Sequence, residues 1–190
     1  MTQQLDPPVS SGPTARHPIL RAWPIIAGLA AAAFQLATGA TSETVAITVA
    51  VAALCYLGAA ALDRTWMAWV GIPVGSVVVV ISKLTDVPWW SGIAVVAVIL
   101  VIIGLLLKVP RRPLTAQTVA LVGFGAAAVG ALLIEPRLGL AAAGVALTMH
   151  AVWDALHYRR NVVVSRALAL FCMFLDVPLG VAAIVLAILW

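Results

Sequence analysis

Three ionisable residues lie within eight positions of one another in HAVWDALHYRR, residues 150–160 of an otherwise strongly apolar chain. His150, Asp154 and His157 are spaced i, i+4 and i+7, so in a helix they lie on one face. Imidazole nitrogens and carboxylate oxygens together suit Zn, Fe or Mn, and helix bundles build metal sites from side chains on facing helices. The spacing therefore indicates a candidate metal or proton site.

A further carboxylate, Asp176, lies in LDVPLG, residues 175–180. If Arg159 and Arg166 mark the ends of two antiparallel neighbouring helices, His150 lies nine residues and Asp176 ten residues away from that boundary. At helical rise this is about 13 to 15 Å for both. We therefore expect His150 and Asp176 to lie at one level of the bundle.

These residues define the predicted site. We predict that His150, His157 and Asp176 bind a divalent metal ion, and that Asp154 is the catalytic residue, acting as a ligand or as the carboxylate that orients an imidazole. A metal-free site for proton transfer and a purely structural polar network are the alternatives. Ionisable groups inside a membrane are energetically costly, and they are usually paired or functional.

The composition shows what must position such a site. Of the 190 residues, 64% are hydrophobic and 9% are charged, and the mean hydropathy is +1.13, whereas soluble domains are about 45–50% apolar and about 25% charged. The chain is therefore expected to be an all-α polytopic membrane protein. A nucleic-acid-binding role is not indicated, because the basic residues are dispersed and not interleaved with aromatics.

Seven apolar runs are long enough to cross a bilayer, which takes about 20 helical residues. The predicted spans are Trp23 to Ala40, Thr44 to Leu62, Thr65 to Leu84, Trp89 to Leu107, Leu114 to Ile134, Leu138 to His157 and Ala167 to Trp190. Residues 1–22 are polar and rich in proline and are expected to form a flexible cytoplasmic tail. Residues 23–190 would then form one transmembrane domain.

The basic residues predict the orientation of these spans, because Lys and Arg near span ends favour the cytoplasmic side. With the N-terminus inside, the inner segments hold nine: Arg16, Arg21, Arg64, Lys108, Arg111, Arg112, Arg159, Arg160 and Arg166. The outer segments hold only Lys83 and Arg137. This asymmetry predicts an inside N-terminus and an outside C-terminus.

Two further patterns bear on the last span. Small residues, Gly139, Ala143 and Ala146, continue the face of His150 and would let a neighbouring helix approach closely. Asp-Val-Pro occurs twice, at Asp86 and at Asp176, which hints at a duplicated helix pair. The proline predicts a kink, or a break into two half-helices, in the last span.

The segment HAVWDALHYRRNVVVSRALALFCMFLDVPLG, residues 150–180, carries Trp-Asp-x-x-His followed by Phe-Cys and an aspartate. In this it resembles a group of small bacterial multi-pass membrane proteins without an assigned activity. The resemblance covers about the last third of the chain. It implies a bacterial cytoplasmic (inner) membrane location and implies no particular reaction.

Three functions are compatible with these patterns. The leading hypothesis is a metal-dependent membrane enzyme acting on a lipid or another hydrophobic small molecule, in which the metal would polarise an oxygen or activate a water. The second is a proton-coupled transporter or permease, with Gln35, Thr48, Ser76 and Ser82 available to line a path. The third is a structural or accessory membrane subunit, whose polar residues hold helices together. No pattern in the chain indicates an oligomeric state.

Overall fold

The computed structural model describes the backbone of residues 18–189 and the side chains of residues 22–189. Within this range the chain forms seven α-helices and no strands. They are α1 (Pro18–Ala37), α2 (Ser42–Leu62), α3 (Met67–Leu84), α4 (Trp89–Leu106), α5 (Arg111–Leu132), α6 (Pro136–Arg160) and α7 (Arg166–Leu189). The all-α class is confirmed, and each predicted span coincides with one helix.

Six of these helices, α2 to α7, are long and apolar enough to cross a membrane. The first helix contributes a shorter apolar stretch, Ala22–Ala37. It already includes Pro18, five residues before the predicted start. The predicted tail, residues 1–22, lies outside the described residues except for its last five. The described part of the chain has the composition and architecture of a helical membrane bundle.

Helix α2 lies at the centre of the bundle. It packs against α3, α4, α5 and α6, and 14 of its 21 residues are buried. Its sequence is apolar on all sides, mostly Ala, Val and Leu, as expected of a helix that other helices surround. Any polar side chain in the middle of α2 therefore points towards another helix.

Helices α6 and α7 cross with their backbones in close contact. A Cβ atom added at Gly144 would lie 2.7 Å from the carbonyl oxygen of Gly180, and one added at Gly180 would lie 2.7 Å from the carbonyl oxygen of Gly144. The predicted small-residue stripe is buried, but Gly139 packs against Ala131 of α5 and not against α7. This crossing brings the polar residues of α6 and α7 to one level.

The two Asp-Val-Pro motifs differ in structure. Pro178 lies inside α7, which continues from Arg166 to Leu189 without division into half-helices. Asp86 instead lies in the loop between α3 and α4, with a left-handed backbone at φ 54°. The two motifs are therefore not equivalent parts of a repeated helix pair.

Charged residues hold helices together at one end of the bundle. Lys83 at the end of α3 forms an ion pair with Glu43 at the start of α2, at 3.1 Å. Arg137 at the start of α6 donates to the carbonyl oxygens of Ala187 and Ile188 near the end of α7, which satisfies acceptors that a helix terminus leaves free.

Candidate metal centre

Helices α6 and α7 bring together three of the four predicted site residues. His150 and Asp154 lie one turn apart on α6, and Asp176 faces them from α7. All three side chains have no solvent-exposed surface. The expectation that His150 and Asp176 share one level is confirmed, because the crossing at Gly144 and Gly180 sets the register of the two helices.

One ring nitrogen of His150 lies between the two carboxylates. Its Nδ1 atom is 2.8 Å from Oδ2 of Asp176 and 3.4 Å from Oδ2 of Asp154. Without a bound ion, Nδ1 donates its hydrogen to the Asp176 carboxylate, which accepts; as a metal ligand, Nδ1 would carry no hydrogen and the ring hydrogen would be on Nε2. The imidazole is also held edge-on by two aromatic rings, Phe124 of α5 at a centroid distance of 5.0 Å and Tyr56 of α2 at 5.6 Å.

The central helix fixes the third member of the cluster. The hydroxyl of Tyr56 donates to Oδ1 of Asp154 at 2.6 Å, and both side chains are buried. Charge-assisted hydrogen bonds of this kind are short and strong. Asp154 is therefore oriented from α2, while its other oxygen stays directed at the cluster.

Each residue of the cluster keeps one buried polar atom without a hydrogen-bond partner. These atoms are Nε2 of His150, Oδ2 of Asp154 and Oδ1 of Asp176. Three unsatisfied polar atoms in one buried place are unusual, because each costs about 1–3 kcal/mol when left unpaired. An ion held between the carboxylates would satisfy Oδ2 of Asp154 and Oδ1 of Asp176, and Nε2 of His150 would lie on the other side of the ring.

The spacing of the cluster fits a metal ion. The three residues can each offer one ligand atom within 4.8 Å of the others. Bonds of about 2.0–2.2 Å to one ion place neighbouring ligand atoms about 3.3 Å apart in a tetrahedral arrangement. The 2.8 and 3.4 Å separations from Nδ1 of His150 already approach this value, so the set His150, Asp154 and Asp176 can hold a divalent ion with small side-chain movements.

The charges of the cluster favour the same interpretation. Two buried carboxylates carry two negative charges, and His150 can supply at most one positive charge. Uncompensated charge inside a membrane is costly. A divalent cation beside a neutral imidazole makes the cluster neutral, whereas without a metal the cluster needs an imidazolium and one protonated carboxyl group.

His157 does not join this cluster. Its Nε2 accepts a hydrogen bond from the Gln117 amide at 2.9 Å, and its Nδ1 donates to the backbone carbonyl of Trp153 at 2.8 Å. The Gln117 oxygen in turn accepts from the indole of Trp153 at 3.1 Å. Both ring nitrogens of His157 are therefore used in hydrogen bonds, and His157 lies outside the group His150, Asp154 and Asp176, whose possible ligand atoms lie within 4.8 Å of one another.

The reason for the difference is the position of Tyr56. Its ring contacts both imidazoles edge-on, with centroids 4.9 Å from His157 and 5.6 Å from His150. The two histidines share a face of α6, but the tyrosine of α2 separates their surroundings. Spacing along one helix could not reveal a side chain inserted from another.

Two residues of the site were missed in the sequence, Tyr56 and Gln117. Both lie within apolar runs, at LCYLG and TAQTV, where a phenol or an amide needs a hydrogen-bond partner. That need was the available signal. The sequence could not identify the partner of each residue, because Asp154 is 98 residues from Tyr56 and His157 is 40 residues from Gln117.

A cavity of about 460 Å³ opens at the end of the bundle where α2 and α6 end and α5 begins. We call it the vestibule. Its polar lining residues are Asp63, Arg64, Thr65, Arg112, Gln117, His157 and Arg160. Of these polar residues, Gln117 and His157 are buried. The Tyr56 ring lies between His157 and the His150 cluster.

A second cavity, of about 340 Å³, lies among α1, α2, α3 and α7. Gln35, Thr48 and Ser76 line it, and Gln35 accepts a hydrogen bond from Thr48 at 3.0 Å. Its lining also includes Cys172, one turn before Asp176. Ser82 lies elsewhere, against Gly92 of α4. His150, Asp154 and Asp176 line neither this cavity nor the vestibule.

Comparisons of the chain with protein-family models, with curated proteins and with solved structures found no match. The functional conclusion rests on the described helices and on their buried His150, Asp154 and Asp176 cluster.

Proposed function

We propose that this is an integral membrane protein with an intramembrane divalent-metal centre, His150, Asp154 and Asp176, and that it is a metal-dependent enzyme acting on a lipid or another hydrophobic substrate. The observation that carries the proposal is the convergence of Nδ1 of His150 and the carboxylate oxygens of Asp154 and Asp176 in a fully buried cluster. One nitrogen and two carboxylate oxygens suit Zn, Fe or Mn. A metal held there would supply Lewis-acid chemistry or an activated water.

The side chains around the centre have distinct roles in this proposal. His150 and Asp176 bind the ion from facing helices, and Asp154 binds it with the oxygen that Tyr56 does not use. Tyr56 acts as a positioning residue, because its hydroxyl fixes the orientation of Asp154. Partners of metal ligands of this kind are typically worth about 10–100-fold in metal affinity or activity.

The membrane and its orientation are part of the proposal. We infer seven spans in a bacterial cytoplasmic membrane, with the N-terminus inside and the vestibule on the cytoplasmic side. The distribution of charge supports this. Arg64, Arg112 and Arg160 line the vestibule, whereas Lys83 and Arg137 lie at the opposite end and are engaged in contacts with Glu43 and with helix carbonyls. Arginine near span ends favours the cytoplasm.

Metal content of detergent-purified protein, measured by plasma mass spectrometry, tests the proposal. We expect near-stoichiometric Zn, Fe or Mn in the wild type and loss of it in His150→Ala. The matched variant is His157→Ala, which removes a buried histidine of the same helix that lies outside the ligand set. It should retain the metal. Only preparations that remain monodisperse by size exclusion are compared.

Two results would contradict the proposed centre. The absence of metal from the wild type, even after incubation with Zn, Fe or Mn, would leave a proton site or a structural network. Loss of metal in His157→Ala at the same level as in His150→Ala, in folded protein, would return His157 to the ligand set.

A second candidate function, proton-coupled transport, is favoured by the cavity that Gln35, Thr48 and Ser76 line. In this candidate function, a path would join that cavity to the vestibule past the cluster, whose residues line neither. Asp154 and Asp176 would then carry protons, and Tyr56 would separate the path from the vestibule.

Proteoliposomes containing a pH-sensitive dye distinguish the two candidates. A transporter acidifies or alkalinises the lumen when a Zn or Mn gradient is applied, and Asp176→Asn abolishes the signal. Bound metal without any gradient-driven proton movement supports the enzyme and contradicts the transporter. Gln35→Leu should reduce transport and leave metal content unchanged.

A further inference from the structure

The vestibule has an excess of positive charge. Three arginines line it, Arg64, Arg112 and Arg160, against the single carboxylate of Asp63. All four residues are exposed. Among residues 22–189, no guanidinium of these three lies within ion-pair distance of a carboxylate. Planar guanidinium groups bind phosphate oxygens in a bidentate manner, and this site has three of them available.

An apolar groove continues from the vestibule between α5 and α6. It has a volume of about 750 Å³ and is lined mainly by Val119, Gly123, Phe124, Val145 and Met149. Ala116 and Trp153 line both the groove and the vestibule, so the two cavities are neighbours. The basic vestibule and the apolar groove therefore lie next to each other near the start of α5.

The length of the groove matches one leaflet of a bilayer. It runs along α5 from Thr115 to Ala127, which is about 18 Å at helical rise. The hydrocarbon core of a membrane is about 30 Å thick, so one leaflet is about 15 Å deep. An acyl chain anchored at the vestibule would therefore reach about the middle of the membrane.

The groove also borders the candidate metal centre. Phe124 lines the groove, and its ring lies 5.0 Å from the His150 ring. Trp153 lines the groove as well, and its indole donates to Gln117 at the floor of the vestibule. A molecule in this position would be separated from the cluster by a single aromatic side chain.

We infer that the vestibule and the α5–α6 groove together bind an anionic membrane phospholipid. Its phosphate headgroup contacts Arg64, Arg112 and Arg160, and one of its acyl chains lies along the groove beside Phe124. This inference rests on the proposed function, since it names the class of hydrophobic substrate that reaches the centre. The basic vestibule supplies the charge complementarity, and the α5–α6 groove shares Ala116 and Trp153 with it, whereas the apolar groove among α2, α4 and α5 shares no lining residue with the vestibule.

Native mass spectrometry of the full chain in detergent, with dioleoyl phosphatidylglycerol or dioleoyl phosphatidylcholine added, tests this inference. We expect the wild type to bind phosphatidylglycerol at least tenfold more tightly. Changing Arg64, Arg112 and Arg160 together to Gln should abolish the preference, and each single change should weaken it about threefold. Arg159→Gln is the matched control, because Arg159 is exposed beside Arg160 but does not line the vestibule.

A second pair of variants tests the groove. Gly123 lines the α5–α6 groove, and Gly125 lines the groove among α2, α4 and α5. A Cβ added at either glycine meets no atom within 4 Å. Gly123→Leu should fill the α5–α6 groove and weaken the binding of both lipids. Gly125→Leu should leave the preference for phosphatidylglycerol intact. Neither change requires the helix backbone to move.

The outcomes separate this inference from the metal proposal. Equal binding of the two lipids, or a preference that survives the triple Gln variant, overturns the lipid site. Metal content is measured on the same samples. Lipid preference without bound metal keeps the lipid site and contradicts the metal centre, and bound metal without lipid preference does the reverse.

Discussion

Helix α6 carries two buried histidines seven residues apart on one face, and their surroundings are opposite in kind. His157 sits in a completed neutral network, in which Gln117 and the Trp153 carbonyl use both ring nitrogens. His150 lies against two carboxylates and keeps one nitrogen unpartnered. The neighbouring helices explain the contrast, because α5 presents an amide to His157 and α7 presents a carboxylate to His150.

This difference shows how a membrane bundle can hold a reactive site beside a stable one. A fully hydrogen-bonded imidazole stays neutral and fixes the helix packing. An imidazole that shares a buried space with two carboxylates leaves negative charge to be balanced, by protonation or, as we propose, by a bound cation. Both arise on one helix, so residue type and spacing alone do not determine which histidine acts.

The largest effect is expected from changing Asp176. Its carboxylate contacts His150, whereas the ring nitrogens of His157 contact an amide and a backbone carbonyl. Asp176→Asn keeps the shape but removes a negative charge, so we expect metal affinity to fall by more than tenfold. Plasma mass spectrometry and metal titration measure this change. Asp86→Asn, in the same Asp-Val-Pro sequence but in an exposed loop, should retain full metal content.

If both variants bound metal equally, the buried motif would have no special role. The cluster would then be a structural contact between α6 and α7.

The helix crossing that brings Asp176 to His150 can be disturbed directly. Gly180→Ala places a methyl group 2.5 Å from Oγ1 of Thr148 and 2.7 Å from the Gly144 carbonyl. Overpacking of this kind typically costs about 1–3 kcal/mol. We expect a lower free energy of unfolding in detergent and weaker metal binding, while His157 keeps its contacts with α5.

Gly130→Ala is the matched control for this prediction, because a Cβ there meets no atom within 4 Å. It should be neutral or slightly stabilising, as alanine favours helix over glycine by about 0.5–1 kcal/mol. Equal destabilisation by both variants would show that the crossing is not the sensitive contact.

Removal of the Tyr56 hydroxyl tests whether the residue between the two histidines supports the His150 cluster. Tyr56→Phe keeps the ring between the imidazoles and deletes the hydrogen bond to Asp154. We expect metal affinity to fall about tenfold, in the range for partners of metal ligands. An unchanged affinity, measured by competition with a chelating dye, would show that Asp154 needs no support from α2.

A substitution in the His157 network should affect stability and spare the metal. Gln117→Leu leaves the Trp153 indole and Nε2 of His157 without their partner. Each unsatisfied buried group costs about 1–3 kcal/mol. We expect a lower melting temperature with metal content unchanged, and loss of metal in this variant would mean that the two histidine environments are coupled.

The smallest effect is expected at an exposed carboxylate. Glu135 accepts from the backbone N–H groups of Arg137 and Leu138 at the start of α6, and these hydrogen bonds hold the pKa of Glu135 below its ordinary value of 4.5. A lowered pKa in the folded protein stabilises the fold above the ordinary pKa, and this contribution is lost as the pH falls through the lowered pKa.

The melting temperature of Glu135→Gln should therefore lie slightly below that of the wild type at neutral pH. The difference should disappear as the pH is lowered from 4.5. A difference that does not change with pH would show that the carboxylate charge makes no contribution to the cap.

The sequence predicted the helices well because hydrocarbon imposes a simple rule. Backbone polar groups must be satisfied within each span, so apolar runs of sufficient length become helices. The ends were less exact: α1 already includes Pro18, five residues before the predicted Trp23, and α6 continues past His157 to Arg160. Terminal turns depend on caps and on local contacts that hydropathy does not describe.

The candidate site was predicted in part. His150, Asp154 and Asp176 were identified because ionisable groups are rare in apolar helices, and their level followed from the short loop between α6 and α7. His157 was placed with them because it shares their face of α6. Its exclusion depends on Tyr56 and Gln117, which come from α2 and α5 and are distant in sequence.

The sequence by itself determined the helical class, the number of apolar segments and the residues capable of chemistry, since these follow from composition and local periodicity. The tertiary structure alone decided which histidine faces carboxylates, which is satisfied by an amide, and where the basic vestibule meets the apolar groove. The physical reason is that hydrocarbon dictates local structure uniformly along the chain, whereas the partner of a buried polar group is set by how helices cross, here at Gly144 and Gly180.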